Sequence, residues 1–193
     1  MQPQRTEICK GERHMAANSI QSDRYEHIIH PFPPFYDEDS LVLILGSLPS
    51  VKSREQRFFY GHPQNRFWKV ISGVLGVECP VTIDEKKHML HTHHIALWDT
   101  IYSCDIVGSS DSSIRNVTPT DLSDIVNNSK VTKVICNGKT SGRYYSKYQQ
   151  KILGIEPVIL PSTSPANAAF SVDKLISLWG DEIPEQCRDI DIS

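Results

Sequence analysis

LVLILGSLPS, residues 41–50, decides the fold. The side chains from Leu41 to Leu45 are all apolar and do not alternate with polar ones. An extended segment of this kind buries both of its faces, which is the signature of a parallel strand covered on two sides. Gly46 ends the run, and Ser47, Pro49 and Ser50 open a small, polar loop. HIALWD (94–99), VTKVICNG (131–138) and PVILPSTSP (157–165) repeat the form. Between them lie helical patterns. FWKVISGVLG (67–76) carries apolar residues at 67, 68, 70, 71, 74 and 75 and stops at a glycine. Residues 84–92, 118–128, 140–152 and 171–181 read as further helices, the second opening on a Thr/Pro start signal. In the last, Ser171 serves as N-cap and Val172, Leu175, Ile176 and Trp179 share a face. Residues 51 to about 64 read as a long polar and aromatic loop.

Strands alternating with helices predict an α/β fold with a four-stranded parallel sheet and helices on both of its faces. Ligands in such sheets bind beyond the carboxyl ends of the strands. Four polar segments stand there: 46–50, 99–102, 137–139 and 160–165. That edge is therefore the expected working face.

The flanks differ from this core. Residues 1 to about 24 are polar and without clear periodicity. HPFPPFYDEDS (30–40) reads as an extended arm packed on the domain surface. Residues 181–193 hold five acids against Arg188. The expected organisation is a tail and arm over 1–40, one domain over 41–180, and an acidic tail over 181–193.

With 193 residues, 39% hydrophobic and 22% charged, the chain suits one ordinary globular domain, not a low-complexity or disordered polymer. The longest apolar run falls far short of the about 20 residues that cross a bilayer. The N-terminus lacks the apolar stretch of a secretory signal, so an intracellular protein is expected. Five cysteines without a CxxC pair make a poor disulfide or metal framework, and reduced, mostly buried thiols are expected.

The net charge of −3 argues against a simple polycation, but it is unevenly spread. Between positions 46 and 180 there are fifteen Lys/Arg and eleven Asp/Glu. A local basic face on a near-neutral protein fits a phosphate backbone, and it equally fits a solvated mixed-charge surface. No dinucleotide, P-loop, zinc-protease or hydrolase-elbow motif is present. HTHH (91–94) could offer imidazoles to a metal, but His93 and His94 point to different sides of any regular element, and no metal is expected. Three Ser-rich loops, GSLPSVKS (46–53), GSSDSS (108–113) and LPSTSPANA (160–168), have a common physical use. Their hydroxyls and amides can donate to phosphate oxygens from a rigid frame. Each alone is ordinary turn chemistry; three at one sheet edge suit a grip on nucleic acid.

At this point the chain resembles the uracil-DNA glycosylase superfamily. The resemblance runs over about residues 41–180. It rests on GSLPSVKSREQRFFYGHPQNRFWKVI (46–71), ALWDTIYSCDIVGSSDSSI (96–114), VICNGKT (134–140) and LPSTSPANA (160–168). The HPQNRFWKVI stretch is similar to the mismatch-specific uracil enzymes. The GSLPS start and the LPSTSPANA ending look more like the hypoxanthine-DNA glycosylase branch, called family 6. The resemblance implies a three-layer α/β/α sandwich around a four-stranded parallel sheet. It also implies monofunctional cleavage of the N-glycosidic bond of a flipped-out base in base-excision repair, without a cofactor. DNA carrying a damaged base is the implied partner, and a monomer is expected.

Residue by residue, many members have Asp or Asn as the third residue of the first loop, to handle the attacking water. Here that residue is Leu48, which can do neither. The resemblance to the hypoxanthine branch puts the catalytic Asn elsewhere, at Asn65, which could equally cap the helix that starts at Phe67. An Asn is no strong base, so the implied route is dissociative, with Asn65 aligning the water that captures an oxocarbenium-like sugar. Tyr60 falls at the base-stacking position, or else in the core. Ser50 stands where uracil enzymes carry a bulky Tyr and leaves room for a purine. Asn137 could read the N1–H and O6 edge of hypoxanthine, or make a turn before Gly138. Asp99 replaces an Asn of the uracil readers and would orient a water or the pocket backbone. Ser47, Ser53, Ser162 and Ser164 would hold phosphates, and Asn167 belongs to the segment that would enter the duplex. Uracil or another deaminated base, or a non-catalytic nucleic-acid-binding module, remain the alternatives. A third is a protein-interaction role for the PFPPF arm.

Overall fold

The computed structural model describes residues 24–188. In chain order the elements are β1 (Glu26–Ile29), β2 (Val42–Gly46), α1 (Val51–Gln56), α2 (Phe67–Leu75), α3 (Ile83–Thr92), β3 (Ile95–Asp99) and β4 (Ile101–Ile106). They continue with β5 (Arg115–Pro119), α4 (Ser123–Asn127), β6 (Lys133–Asn137), α5 (Lys139–Tyr148), α6 (Gln150–Leu153), β7 (Pro157–Leu160), α7 (Val172–Gly180) and α8 (Glu185–Arg188).

Four strands form one parallel sheet in the order β3-β2-β6-β7. The fold is the expected three-layer α/β/α sandwich. All five residues of β2 are buried, as are all five of β3, which requires cover on both faces. α2 packs against α7, α5 against β6 and β7, and α3 against β3. Register fixes what meets at the carboxyl edge. Gly46 lies opposite Asp99, and Asn137 opposite Leu160.

Several parts of the fold differ from the sequence expectation. Residues 51–64 are not all loop: Ser50 accepts a hydrogen bond from the Ser53 amide at 3.2 Å and caps the short helix α1. That helix has one buried residue, so it left no apolar period to read. The helix expected over 118–128 begins only at Ser123. The preceding Thr118 and Pro119 end β5, and the Thr120 amide donates to the Thr100 carbonyl at 3.1 Å. Strand pairing overrode the Thr-Pro start signal. Finally, residues 101–102 are not an edge loop. They open β4, the middle strand of a second, antiparallel sheet ordered β1-β4-β5. Ser103 and Asp105 within β4 hid its strand character.

The proline-aromatic segment goes deeper than a surface arm. Phe32 is buried in the main core, and Phe35 exchanges two backbone hydrogen bonds with Leu97, at 2.8 and 3.0 Å. It therefore covers the β3 edge of the parallel sheet. At the other end, Ile183 and Cys187 are buried in the same core, so residues 181–188 belong to the domain and are not the expected acidic tail, of which 189–193 lie outside the described residues. Cys104, Cys136 and Cys187 are buried free thiols and Cys79 is an exposed one; Cys9 lies outside the described residues. Burial pushes the Cys136 and Cys187 thiols up to about 11, so both stay protonated and unreactive at neutral pH. Among the described residues no helix is long and apolar enough to cross a membrane.

Candidate active site

One open cavity of about 710 Å³ lies at the carboxyl edge of the parallel sheet. All ten residues singled out above line it: Ser47, Ser50, Ser53, Tyr60, Asn65, Asp99, Asn137, Ser162, Ser164 and Asn167. Strand ends bring them together. β2 leads into Ser47, β3 ends on Asp99, β6 ends on Asn137, and β7 leads into Ser162 and Ser164.

Their hydrogen bonds separate committed groups from free ones. Asn65 Oδ1 accepts from the Phe67 amide and from Thr163 Oγ1, each at 3.0 Å. Its carbonyl is thus saturated, holding the first amide of α2 from one residue before the Arg66 cap position and bracing the last loop, while Nδ2 makes no hydrogen bond among the described residues. The two readings of Asn65 as cap and as cavity residue are both visible in one side chain. Asn137 is similarly divided. Its Oδ1 accepts from the Thr163 amide and its Nδ2 donates to Thr163 Oγ1, both at 2.9 Å. One N–H and one lone pair are left over.

Tyr60 stacks on Phe67 with ring centroids 3.8 Å apart and an 18° tilt. Its φ of 50° lies in the left-handed region, which a bulky residue enters at a cost of about 1–3 kcal/mol. The hydroxyl is buried and has no hydrogen-bond partner among the described residues. Burial, with the negative charge of Asp99 beside it, raises its pKa far above the ordinary phenol value, so it remains a neutral donor. The Asn137 side chain is its polar neighbour at the cavity wall.

The serines serve the loops that carry them. Ser53 is buried and accepts from the Gly61 amide at 2.9 Å. Ser50 and Ser53 hydroxyls lie 3.0 Å apart. Ser162 Oγ accepts from the Ser164 amide, and Ser164 Oγ from that of Ala166. Asn167 Nδ2 donates to the Ser162 carbonyl at 2.9 Å. Ser47 donates weakly to Asp111 at 3.5 Å. Leu48 lines the cavity while packing against the core of the antiparallel sheet.

Three important residues escaped the sequence reading. Thr163, fully buried, ties Asn65 to Asn137. Its place between the two serines of PSTSP was the available signal. Arg66 was counted toward a basic face, but its guanidinium donates to the carbonyls of Thr163, Ser164, Asn167 and Phe170. It pins the last loop instead of meeting solvent. His30, from the arm, reaches Asp99 at 2.8 Å with its side chain wholly buried; nothing in its surroundings in the sequence marked it.

The histidines of HTHH diverge. His91 contacts Asp37, and His93 Nδ1 donates to the Cys187 carbonyl at 2.7 Å. Among the described residues no three His, Cys, Asp or Glu side chains gather as a metal site would need.

The profile of the Uracil DNA glycosylase superfamily matches residues 33–179. The chain belongs to this superfamily. Within it, the chain is 35% identical over 145 residues to a protein of Methanosarcina acetivorans named hypoxanthine DNA glycosylase, covering 74% of this chain and 90% of that one. A protein of Methanosarcina barkeri with the same name is 34% identical over 140 residues, with 70% and 86% coverage. The solution NMR structure of a candidate uracil DNA glycosylase from Methanosarcina acetivorans superposes with a TM-score of 0.71. It shares 31% identity and covers 82% of this chain and 99% of its own. For this superfamily member, both the parallel sheet and the cavity at its carboxyl edge follow from the chain's own residues.

Proposed function

We propose that the protein is a monofunctional DNA glycosylase that hydrolyses the N-glycosidic bond of hypoxanthine in DNA, initiating base-excision repair. The observation that carries this reading is the cavity's division of labour. An apolar Leu48 stands in the first loop, and Asn65, which lines the same cavity, has an Nδ2 that makes no hydrogen bond among the described residues. The relatives named hypoxanthine DNA glycosylase span most of the chain and supply the substrate class.

The chemistry follows from what each group can do. Neither Leu48 nor an amide can take a proton from water, so the bond to the base breaks first, leaving a cationic sugar and an anionic base, and the water that adds to the sugar gives its proton to the departing base. That cation needs a water in place more than it needs a strong base. Asn65, locked by two hydrogen bonds to its carbonyl, holds that water through Nδ2. A flipped base stacks on the free side of the Tyr60–Phe67 pair, worth about 1–3 kcal/mol. Asn137 offers its remaining N–H to the carbonyl oxygen of the base edge. The Ser-rich loops take the flanking phosphates.

A base-release assay tests this. Oligonucleotides carrying one hypoxanthine, uracil, xanthine or mismatched thymine are incubated with the protein, and alkali cleavage reports abasic product. Release of hypoxanthine first, lost by about 10²–10⁴-fold in Asn65→Ala, is the expected result. Release of uracil first replaces the substrate. Binding of DNA with no release makes the protein a non-catalytic module.

A further inference from the structure

Strand β1 and the arm that follows it bring one more group to the cavity. His30 has no side-chain exposure, and Asp99, which it meets, is nearly as buried. His30 Nδ1 lies 2.9 Å from the Phe32 carbonyl, an oxygen that can only accept, so Nδ1 carries a proton. Nε2 lies 2.8 Å from Asp99 Oδ2. With Nδ1 already protonated, the second contact needs a further proton between ring and carboxyl group. Imidazolium with carboxylate, and imidazole with carboxylic acid, are the two ways to place it. Either way the pair is electrically neutral. Trp98, Phe32 and Phe59 surround the imidazole, with ring centroids 4.1, 4.6 and 6.4 Å away. No other charged side chain contacts it among the described residues.

Asp99 Oδ1 makes no hydrogen bond among the described residues, and it faces the Gly46 end of β2. A methyl group on Gly46 would stand 2.2 Å from Oδ1 and 3.5 Å from the Tyr60 hydroxyl. The absence of a side chain at Gly46 therefore lets the carboxyl group sit at the cavity wall. Asn137 is partly spent on Thr163, so Asp99 Oδ1 is the uncommitted acceptor at this end.

We propose that His30 is a positioning residue for base excision: it holds Asp99 by Oδ2 so that Oδ1 accepts the ring N–H of the flipped base, and it keeps the pair neutral as that base departs. This deepens the function proposed above and rests on it. A lactam base such as hypoxanthine presents an N–H to this acceptor, whereas adenine presents a lone pair. As the glycosidic bond breaks, its electron pair goes to the base. A bare carboxylate would repel that growing charge; a carboxylate whose charge is matched 2.8 Å behind it does so far less.

The test is a double-mutant cycle on the full chain. Single-turnover release of hypoxanthine and equilibrium binding to abasic product DNA are measured for wild type, His30→Phe, Asp99→Asn and the double variant. His30→Phe is expected to slow release by about 10–100-fold while product binding changes by less than about twofold. Asp99→Asn removes the unmatched charge, so the double variant is expected to be faster than His30→Phe alone. Additive losses, or a His30→Phe variant as fast as wild type, would overturn the proposal. If His30→Phe does not fold, His30→Gln, which keeps a neutral donor, is cycled with Asp99→Asn under the same criterion. Nitrogen NMR of the imidazole reads the pair apart from catalysis. Nδ1 should be protonated in wild type with one further proton held between Nε2 and Asp99 Oδ2, and that further proton should be absent in Asp99→Asn. A protein with this signature that releases no base would overturn the proposed function alone. An unprotonated Nε2 in wild type, with Asp99 ionised, would overturn the positioning role whatever the activity.

Discussion

Thr163 shows how much one small side chain can carry. Its amide donates to Asn137, its hydroxyl accepts from Asn137 and donates to Asn65, and its carbonyl accepts from Arg66. Thr163→Val keeps the shape and removes the hydroxyl, leaving Asn137 Nδ2 without that partner. The expected cost is about 1–3 kcal/mol in a denaturant melt, together with slower single-turnover release, because Asn65 loses one of its two braces. Gly46 provides the complementary case. Gly46→Ala forces a methyl group onto Asp99 Oδ1, and the carboxyl group must move. Release is expected to fall by at least about tenfold with little loss of stability; unchanged kinetics would mean that Oδ1 has no part in the reaction. At this scale the sequence was partly legible. Small polar segments at the ends of the parallel strands marked the edge that carries the cavity, and the family resemblance picked out the individual residues that line it. Hydrogen-bond partners were not legible, because Asn65 and Thr163 stand 98 positions apart and only the folded chain brings them into contact.

Among the elements, α5 combines two jobs. One face packs on β6 and β7, with Gly142 against Ile159. The other exposes Lys139, Arg143 and Lys147 at helical spacing, starting just after Asn137. Among the described residues none of the three forms a salt bridge. Arg143 and Lys147 lie over the rings of Tyr144 and Tyr148 and line a small groove that shares Asp111 and Ser112 with the main cavity. Under the proposed function, this stripe is expected to follow a phosphate backbone away from the flipped base. Replacing all three by Ala should make the slope of log binding constant against log salt shallower by about 2–3. An unchanged slope would place the backbone elsewhere. The parallel strands were legible because each is a short apolar run closed by small residues. The antiparallel sheet was not, because its strands alternate or carry polar residues. β1 is largely exposed, and β5 buries none of its side chains fully.

In the whole molecule, the two ends of the described chain close the structure. Phe32 and Phe59 meet edge to face at 5.0 Å, and Phe32 also contacts His30. Phe32→Ala is expected to cost about 3–5 kcal/mol in a reversible melt. It should also depress base release beyond the loss of folded protein, since the same segment delivers His30. A loss of activity that merely tracks the folded fraction would make the arm a stabilising clasp only. This depth was not legible because proline-aromatic segments on a surface and in a core have the same composition; only the pairing of Phe35 with Leu97 distinguishes them.

The contacts that build the cavity span great distances along the chain. His30 and Asp99 are separated by 69 positions, Asn65 and Thr163 by 98, and Arg66 and Phe170 by 104. Topologies of this kind fold slowly, because wide loops must close before their contacts can form. The consequence concerns the protein's birth on the ribosome. A nascent chain that has exposed the first loop, the arm and even the third strand still has no pinned last loop and no braced Asn65. The capacity to open a glycosidic bond is therefore expected only once the chain through Phe170 has emerged, since a shorter translation product lacks the contacts that brace Asn65 and pin the last loop.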